Sequence, residues 1–305
     1  MPLRVAVVGG SNVDISATAT EPLRLGDSNL GRVNVSVGGV GRNVAENLSR
    51  LGVKVRLITA YGDDAFASLL KDKAKEAGMD TSQSAECAGF SSSVYGCVNQ
   101  PNGEMFIAVS DMDVCGELTP AFMQSRLDGI QACDALVLDA NIPAETLLFL
   151  AKTVSIPVFA DSVSAQKVCR LRQAIPYLEG IKTNRREAEL LTGLSLGREE
   201  DSLKAAKDLH RLGVKKVLIT LAEDGGFFSD GKSAAFMPSL VHGMLNTTGC
   251  GDACLAGIVY AFLNRRDYRA ILKTGMAMAG ICAAAETAVS PALTPALLKN
   301  YMKRY

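Results

Sequence analysis

Short apolar segments alternate with helical patterns along most of this chain. The clearest predicted strands are Arg4–Val8, Ala135–Asp139, Pro157–Asp161 and Val217–Leu221. Strands that alternate with helices form a mostly parallel sheet with helices on both faces, and ligands of such folds bind beyond the carboxyl ends of the strands. The alternation therefore predicts an α/β fold with its functional loops at one edge of the sheet.

Composition limits the classes of function. The 305 residues are 48% hydrophobic, which suffices for one large core, and 32 Lys and Arg balance 32 Asp and Glu. This balance favours neither a nucleic acid partner nor a membrane surface, and the longest apolar run, Ala253–Leu263, is too short to span a bilayer. Eight cysteines without a CxxC pair, and only two histidines, predict reduced thiols. We expect a soluble, cytoplasmic protein with one principal domain over residues 1–305.

A second group of segments breaks the parallel rhythm. Alternating apolar residues in Val33–Val37, Ser92–Val98 and Glu104–Val109 predict short strands. A sheet of this size has too little core to be stable alone. We interpret segments 15–37 and 89–110 as a β-sheet lid over the ligand site, and we expect its apolar face to pair with a second copy in a homodimer.

Polar and glycine residues after the first strand are candidate substrate contacts. Asn12 and Asp14 alternate in an extended segment and therefore face the same side, and a carboxylate such as Asp14 can accept from two vicinal sugar hydroxyls. Gly38 and Gly39 precede a helix and allow a ligand to approach the backbone, while Asn43 in its first turn can bond a hydroxyl. The alternatives are a solvated turn carboxylate at Asp14 and a capping side chain at Asn43. The first strand is followed by GGSNVD, which is not the GxGxxG turn of an NAD-dependent oxidoreductase.

Asn184 and Glu187 allow two interpretations. An asparagine followed three residues later by a glutamate, before a helical pattern, is typical of a capping box. The same geometry would let both side chains hold a hydrated Mg²⁺ through its waters. The sequence leaves both interpretations open.

The stretch LNTTGCGDACLAG, from Leu245 to Gly257, carries the strongest chemical signal. Gly249, Cys250 and Gly251 can bring consecutive backbone N–H groups into one concave turn at the start of an apolar helix, which is a favourable site for an anion. Asp252 would lie in the first helical turn, where a general base of a phosphoryl-transfer enzyme belongs. The alternative is an ordinary glycine turn with an N-terminal aspartate.

Three motifs in the same order and register, GGVGRN, NRREAE and NTTGCGDACLAG, resemble those of the ribokinase-type (PfkB) family of sugar and nucleoside kinases. The resemblance covers nearly the whole chain. It implies a ribokinase-like three-layer sandwich with a small β-sheet lid, and it implies ATP and Mg²⁺ as cofactors. By this resemblance Asp252 is the catalytic base, and the backbone of Gly249, Cys250 and Gly251 forms the anion hole. Magnesium is served by Asn184 and Glu187. Ribose is bound by Asn12, Asp14, Gly39 and Asn43, and ATP is flanked by Thr220, Gly225 and Asn246.

Further segments, among them DSNLGRVNVSVGGVGRNVAENL and DSVSAQK, resemble one branch of this family, the pseudouridine kinases. The resemblance implies phosphorylation of the 5′-hydroxyl of pseudouridine. Alternative acceptors are ribose, uridine or another nucleoside or sugar. A protein that binds a nucleoside for regulation, without catalysis, is the alternative to an enzyme. Asn246 occupies the position where potassium-binding members have aspartate, which leaves K⁺ activation an open question. Further expected substrate contacts are Ser28, Asn29, Gly38, Asp111, Met112 and Asn141. Among them, Ser28, Asn29, Asp111 and Met112 belong to the polar segments Asp27–Asn29 and Asp111–Asp113, which are the candidates to accept a hydrogen bond from the base.

Overall fold

The computed structural model describes residues 2–241 and 245–304. In these ranges the strands are β1 (Arg4–Val8), β2 (Asn12–Ala19), β3 (Gly31–Gly38), β4 (Lys54–Ile58), β5 (Ala60–Tyr61), β6 (Ala85–Glu86), β7 (Val94–Asn99), β8 (Met105–Asp111), β9 (Ala135–Asp139), β10 (Val158–Asp161), β11 (Gly180–Asn184), β12 (Lys216–Thr220), β13 (Gly226–Ser229) and β14 (Ala234–Met237). The α-helices are α1 (Val40–Arg50), α2 (Ala65–Glu76), α3 (Pro120–Gln124), α4 (Leu127–Gln131), α5 (Ala144–Thr153), α6 (Arg185–Thr192), α7 (Glu199–Arg211), α8 (Cys250–Leu263), α9 (Tyr268–Ala283) and α10 (Pro295–Met302).

The main sheet has eight strands in the order β14-β13-β12-β11-β10-β9-β1-β4. Its strands from β12 to β4 are parallel, and β13 and β14 are antiparallel. Side chains alternate between its faces: Ala6 and Val8 join the core beneath α5, α6 and α7, whereas Val5 and Val7 join the core beneath α1, α8 and α9. The predicted α/β sandwich with a mostly parallel sheet is confirmed.

A separate four-stranded sheet has the order β3-β2-β7-β8, with β2 and β7 parallel and both outer pairs antiparallel. Residues that pair across strands lie on the same face, so the register assigns every side chain to a face. One face is apolar and carries Val13, Ile15, Val35, Val37, Val94, Val98, Ile107 and Val109. The opposite face is polar and carries Asp14, Ser16, Asn34, Ser36, Tyr95 and Asn99.

Several predicted boundaries differ from the structure. The small sheet extends beyond the predicted segments, since it starts at Asn12 and ends at Asp111. The Ala-, Gly- and Met-rich run 270–288 predicts a helix over its whole length, whereas α9 spans Tyr268–Ala283. The carbonyl of Ala283 accepts hydrogen bonds from the backbone N–H groups of Leu245 (2.8 Å) and Asn246 (3.3 Å), in the loop before α8. These bonds use the carbonyl at the end of α9. Within residues 2–241 and 245–304, no helix has the length and apolar character required to cross a bilayer.

Candidate active site

The N-terminus of α8 forms the expected concave turn. Gly249 is the residue before the helix and has a φ of 82°, a left-handed conformation that favours glycine. A side chain there would also collide with the carbonyl of Ala288. Cys250, Gly251 and Asp252 occupy the first turn, where the backbone N–H groups have no partner within the helix. The sequence therefore produces, next to a carboxylate, the kind of helix N-terminus that favours an anion.

Asp252 is 8% exposed and lies between two parts of the site. Its Oδ2 accepts a hydrogen bond of 2.9 Å from Nδ2 of Asn43, which lies in the first turn of α1. Burial, and then the nearby charge of Asp161, raise the pKa of Asp252 to about 7, against the opposing effects of Lys182 and the Asn43 hydrogen bond. A carboxyl group with this pKa can take up a proton near neutral pH.

Asn12 and Asp14 lie side by side on β2, as predicted. Asn12 Nδ2 donates to Asp14 Oδ1 at 2.5 Å. Burial, partly offset by this bond, raises the pKa of Asp14. Gly38 is paired with Asn12 and packs directly against the Asp14 carboxylate, where a side chain would not fit, and Gly39 opens α1 with a φ of 98°. These four residues and Asn43 are contiguous.

Asp139 connects three segments of the chain. In the sequence it stood out only as the end of a predicted strand. Its Oδ2 accepts from the backbone N–H of Gly10 (2.8 Å) and of Gly41 (2.7 Å), and its Oδ1 accepts from the N–H of Asn141 (2.8 Å). The loops after β1 and β9 and the start of α1 are thereby held together at the carboxyl edge of the main sheet. An aspartate at the end of a buried strand was the available signal.

Asn141 and Met112 also reach this edge. Both pack against Gly10, within 3 Å of the position that a side chain there would take. Asn141 Oδ1 accepts a 2.7 Å hydrogen bond from Nζ of Lys167, which is half-buried. Lys167 was not predicted as a site residue, although it belongs to the segment DSVSAQK.

Three other predicted contacts lie elsewhere. Ser28 and Asn29 are exposed, and Asn29 bonds to the backbone of Arg24 and Asp27 within its own loop. Asp111 is paired with Val94, so its side chain belongs to the apolar face of the small sheet, opposite Asp14. The geometry does not support base recognition by these three residues, and that role stays a prediction.

A cavity of about 880 Å³ opens on the other side of the α8 turn. The predicted residues Asn184, Thr220, Gly225, Cys250 and Gly251 all line it, together with apolar side chains of α8 and α9. Asn246 lies nearby, where its Nδ2 donates to the carbonyl of Glu286 (3.3 Å) and its Oδ1 accepts from the N–H of Thr248 (2.9 Å). Asn246 thus stabilises the turn that leads to Gly249.

Asn184 and Glu187 form a complete capping box. Asn184 Oδ1 accepts from the Glu187 N–H (2.9 Å), and Glu187 Oε2 accepts from the Asn184 N–H (2.7 Å). The same carboxylate also accepts from Ser162 Oγ (2.5 Å) and from Asn184 Nδ2 (2.7 Å). Glu187 is 1% exposed, whereas Asn184 is exposed and lines the cavity. This donor set fits magnesium only through intervening waters, approached from the Asn184 side.

Comparisons with known proteins establish the fold and the family of this chain. Residues 3–295 match the model of the pfkB family of carbohydrate kinases. The chain is 30% identical to a pseudouridine kinase of Escherichia coli (strain K12), over 95% of this chain and 93% of that protein. It matches a carbohydrate kinase from Agrobacterium tumefaciens with a TM-score of 0.85 at 26% identity, covering 99% of this chain and 97% of that one. It matches an Arabidopsis thaliana ribokinase complexed with ribose and ATP with a TM-score of 0.90 at 20% identity, covering 99% of each. The chain therefore belongs to the pfkB family of carbohydrate kinases and is a phosphotransferase with a sugar or nucleoside acceptor.

Proposed function

We propose that this enzyme transfers the γ-phosphoryl group of ATP to the 5′-hydroxyl of pseudouridine. The position of Asp252 is the observation that supports this proposal most directly. On one side of its carboxylate is the α8 turn, which lines the 880 Å³ cavity. On the other side is Asn43, which donates to the carboxylate and lies toward Asn12 and Asp14. The cavity falls within the size range of small-molecule sites. The 30% identity to a pseudouridine kinase supports this acceptor among the sugars and nucleosides.

In this mechanism ATP supplies the phosphoryl group, and Mg²⁺, held through its waters on the Asn184 side, would neutralise part of the charge on that group. Asn12 and Asp14 bind ribose hydroxyls, and Asn43 positions the Asp252 carboxylate by its hydrogen bond. Asp252 accepts the proton of the 5′-hydroxyl as its oxygen attacks. The N–H groups of Gly249, Cys250 and Gly251 stabilise the charge that develops on the transferring group.

A coupled ADP-release assay tests this function. Ribose, uridine, pseudouridine, adenosine and fructose are each offered with ATP and magnesium. We expect ADP release that depends on pseudouridine. If calorimetry detected pseudouridine binding while no acceptor supported ADP release, the chain would be a nucleoside-binding regulator instead.

The small sheet is proposed to act as a lid, because its polar face carries Asp14. The end of its apolar face near Val13 packs on α2, but Val33, Val35, Ile107 and Val109 at the other end are 51–71% exposed. An apolar patch of this kind marks an interaction surface. We propose that two copies bury these patches against each other in a homodimer.

Light scattering at micromolar concentration is expected to give the mass of a dimer. Val35→Asp together with Val109→Asp should give a monomer, since each change buries a charge in the interface. Ser16→Asp on the polar face is the matched control and should stay dimeric. A monomeric mass for the unaltered chain would contradict this proposal.

Two substitutions at Glu187 separate the capping role from the magnesium role. Gln can also complete a capping box through its amide oxygen, so Glu187→Gln removes the charge and loses one of the three hydrogen bonds that the carboxylate accepts. Glu187→Ala removes all three and should cost at least about 1 kcal/mol in stability. If Glu187 serves magnesium, both variants should need a higher Mg²⁺ concentration for half-maximal activity. An unchanged magnesium titration in both variants, with a melting temperature that falls further for Glu187→Ala than for Glu187→Gln, would make the capping box its whole role.

A further inference from the structure

Lys182 on β11 lies buried directly behind the α8 turn. It is 7% exposed, and a side chain at Gly251 would come within 2.6 Å of its Nζ. The ammonium group therefore occupies the space that the glycine leaves, on the protein side of the anion-binding turn. Its ion pair is with Asp161 at the end of β10, with Nζ 3.3 Å from Oδ2 and 3.5 Å from Oδ1.

The charges around Lys182 are mostly negative. Burial alone would lower the pKa of Lys182, but the carboxylates of Asp161, Glu187 and Asp252 raise it above its usual range. Lys182 is thus held as a cation inside the protein. A buried cation is expensive to maintain unless nearby anions compensate it, and the ion pair with Asp161 supplies that compensation.

We infer that Lys182 is a positioning residue, which keeps the Asp252 carboxylate in its charged form and holds positive charge behind the Gly251 N–H. This inference rests on the proposed role of Asp252 as the base. In this role Lys182 acts through Asp252 and through the turn. Its contribution is electrostatic, so it should depend on charge more than on shape.

Asp252 is surrounded by titratable and polar groups, and its charge also acts on the nearby Cys250 and Cys282 thiols. Asn43 on α1 and Lys182 on β11 lower its pKa, whereas Asp161 on β10 and Asp139 on β9 raise it. Lys182 and Asp161 belong to the same ion pair but act on Asp252 in opposite directions. Removing either partner breaks the same buried contact, so the two single variants form a matched pair.

The test is the pH dependence of kcat at saturating ATP, magnesium and acceptor for Lys182→Met and Asp161→Asn. Loss of the cation should move the acidic limb of the profile to higher pH by roughly one unit, and loss of the anion should move it to lower pH by a similar amount. Lys182→Arg keeps the charge and should leave the limb near its original position. A purely structural ion pair predicts lower activity or stability in both variants, without opposite shifts.

Limbs that stay in place, or that move in the same direction, would overturn the inference. If Lys182→Met does not fold, Asp161→Asn still tests the inference, because the acidic limb of its kcat profile must move to lower pH. The double variant carries neither charge, so its acidic limb must lie at a higher pH than that of Asp161→Asn. Asp252→Asn distinguishes this failure from failure of the proposed base. If that variant kept both activity and the acidic limb, Asp252 would not be the base, whatever Lys182 does.

Discussion

Asp252→Asn is expected to lower kcat by about 10²- to 10⁴-fold, the usual contribution of a positioned general base. Asparagine has nearly the same shape and can still accept a hydrogen bond from Asn43, so the KM for the acceptor should change little. Steady-state kinetics with the best acceptor of the panel measures both constants.

The stability of the same variant provides an independent check. Burial raises the pKa of Asp252 in the folded protein. Above pH 7 the folded protein therefore keeps a buried carboxylate charged, which costs stability. Replacing that carboxylate by a neutral amide should not lower the melting temperature above pH 7. Asp267→Asn at the start of α9 is a matched control, since asparagine preserves that cap and the residue is exposed. If Asp252→Asn kept more than about a tenth of the activity, another group would be the base.

The second large effect concerns the acceptor. Pseudouridine and uridine share their ribose, so Asp14 and Asn43 cannot distinguish them. Pseudouridine has an additional ring N–H, and a buried acceptor built to receive it would be left unsatisfied by uridine. That loss costs about 1–3 kcal/mol, so we expect kcat/KM for pseudouridine to exceed that for uridine by roughly 5- to 150-fold.

The structure changes where this acceptor is sought. Sequence reasoning placed it in the loop of Ser28 and Asn29 or near Asp111, but the polar face of the small sheet offers Asn99 and Tyr95 on the same side as Asp14. Asn99→Asp and Asn99→Ala should alter the ratio of kcat/KM for the two nucleosides more than the value for free ribose, which should be low. Equal values for pseudouridine and uridine, or a preference for ribose, would contradict the pseudouridine assignment and leave the kinase family intact.

The parts of this fold that follow local rules were predictable. The strand and helix alternation predicted the main sheet, and the glycines before Asp252 predicted its place in the first turn of α8, because both depend on residues close in sequence. Asn12 and Asp14 were predicted to share a face for the same reason.

Long-range contacts were not predictable. Lys182 and Asp139 act through partners 70 or more residues away, such as Asp252 and Gly10, and no local pattern distinguishes a buried lysine on a strand from one at its exposed end. The end of α9 at Ala283 likewise depends on N–H groups from the loop before α8.

The three hydrogen bonds of Asp139 bear on how substrate choice can evolve in this scaffold. Because one carboxylate accepts from Gly10, Gly41 and Asn141 at once, an insertion or exchange in any one of these loops disturbs the other two. Ser16, Asn34, Tyr95 and Asn99, on the polar face of the small sheet, take no part in these three hydrogen bonds. Libraries aimed at new acceptors should therefore vary these four positions and leave Asn12, Asp14 and the glycine loops unchanged.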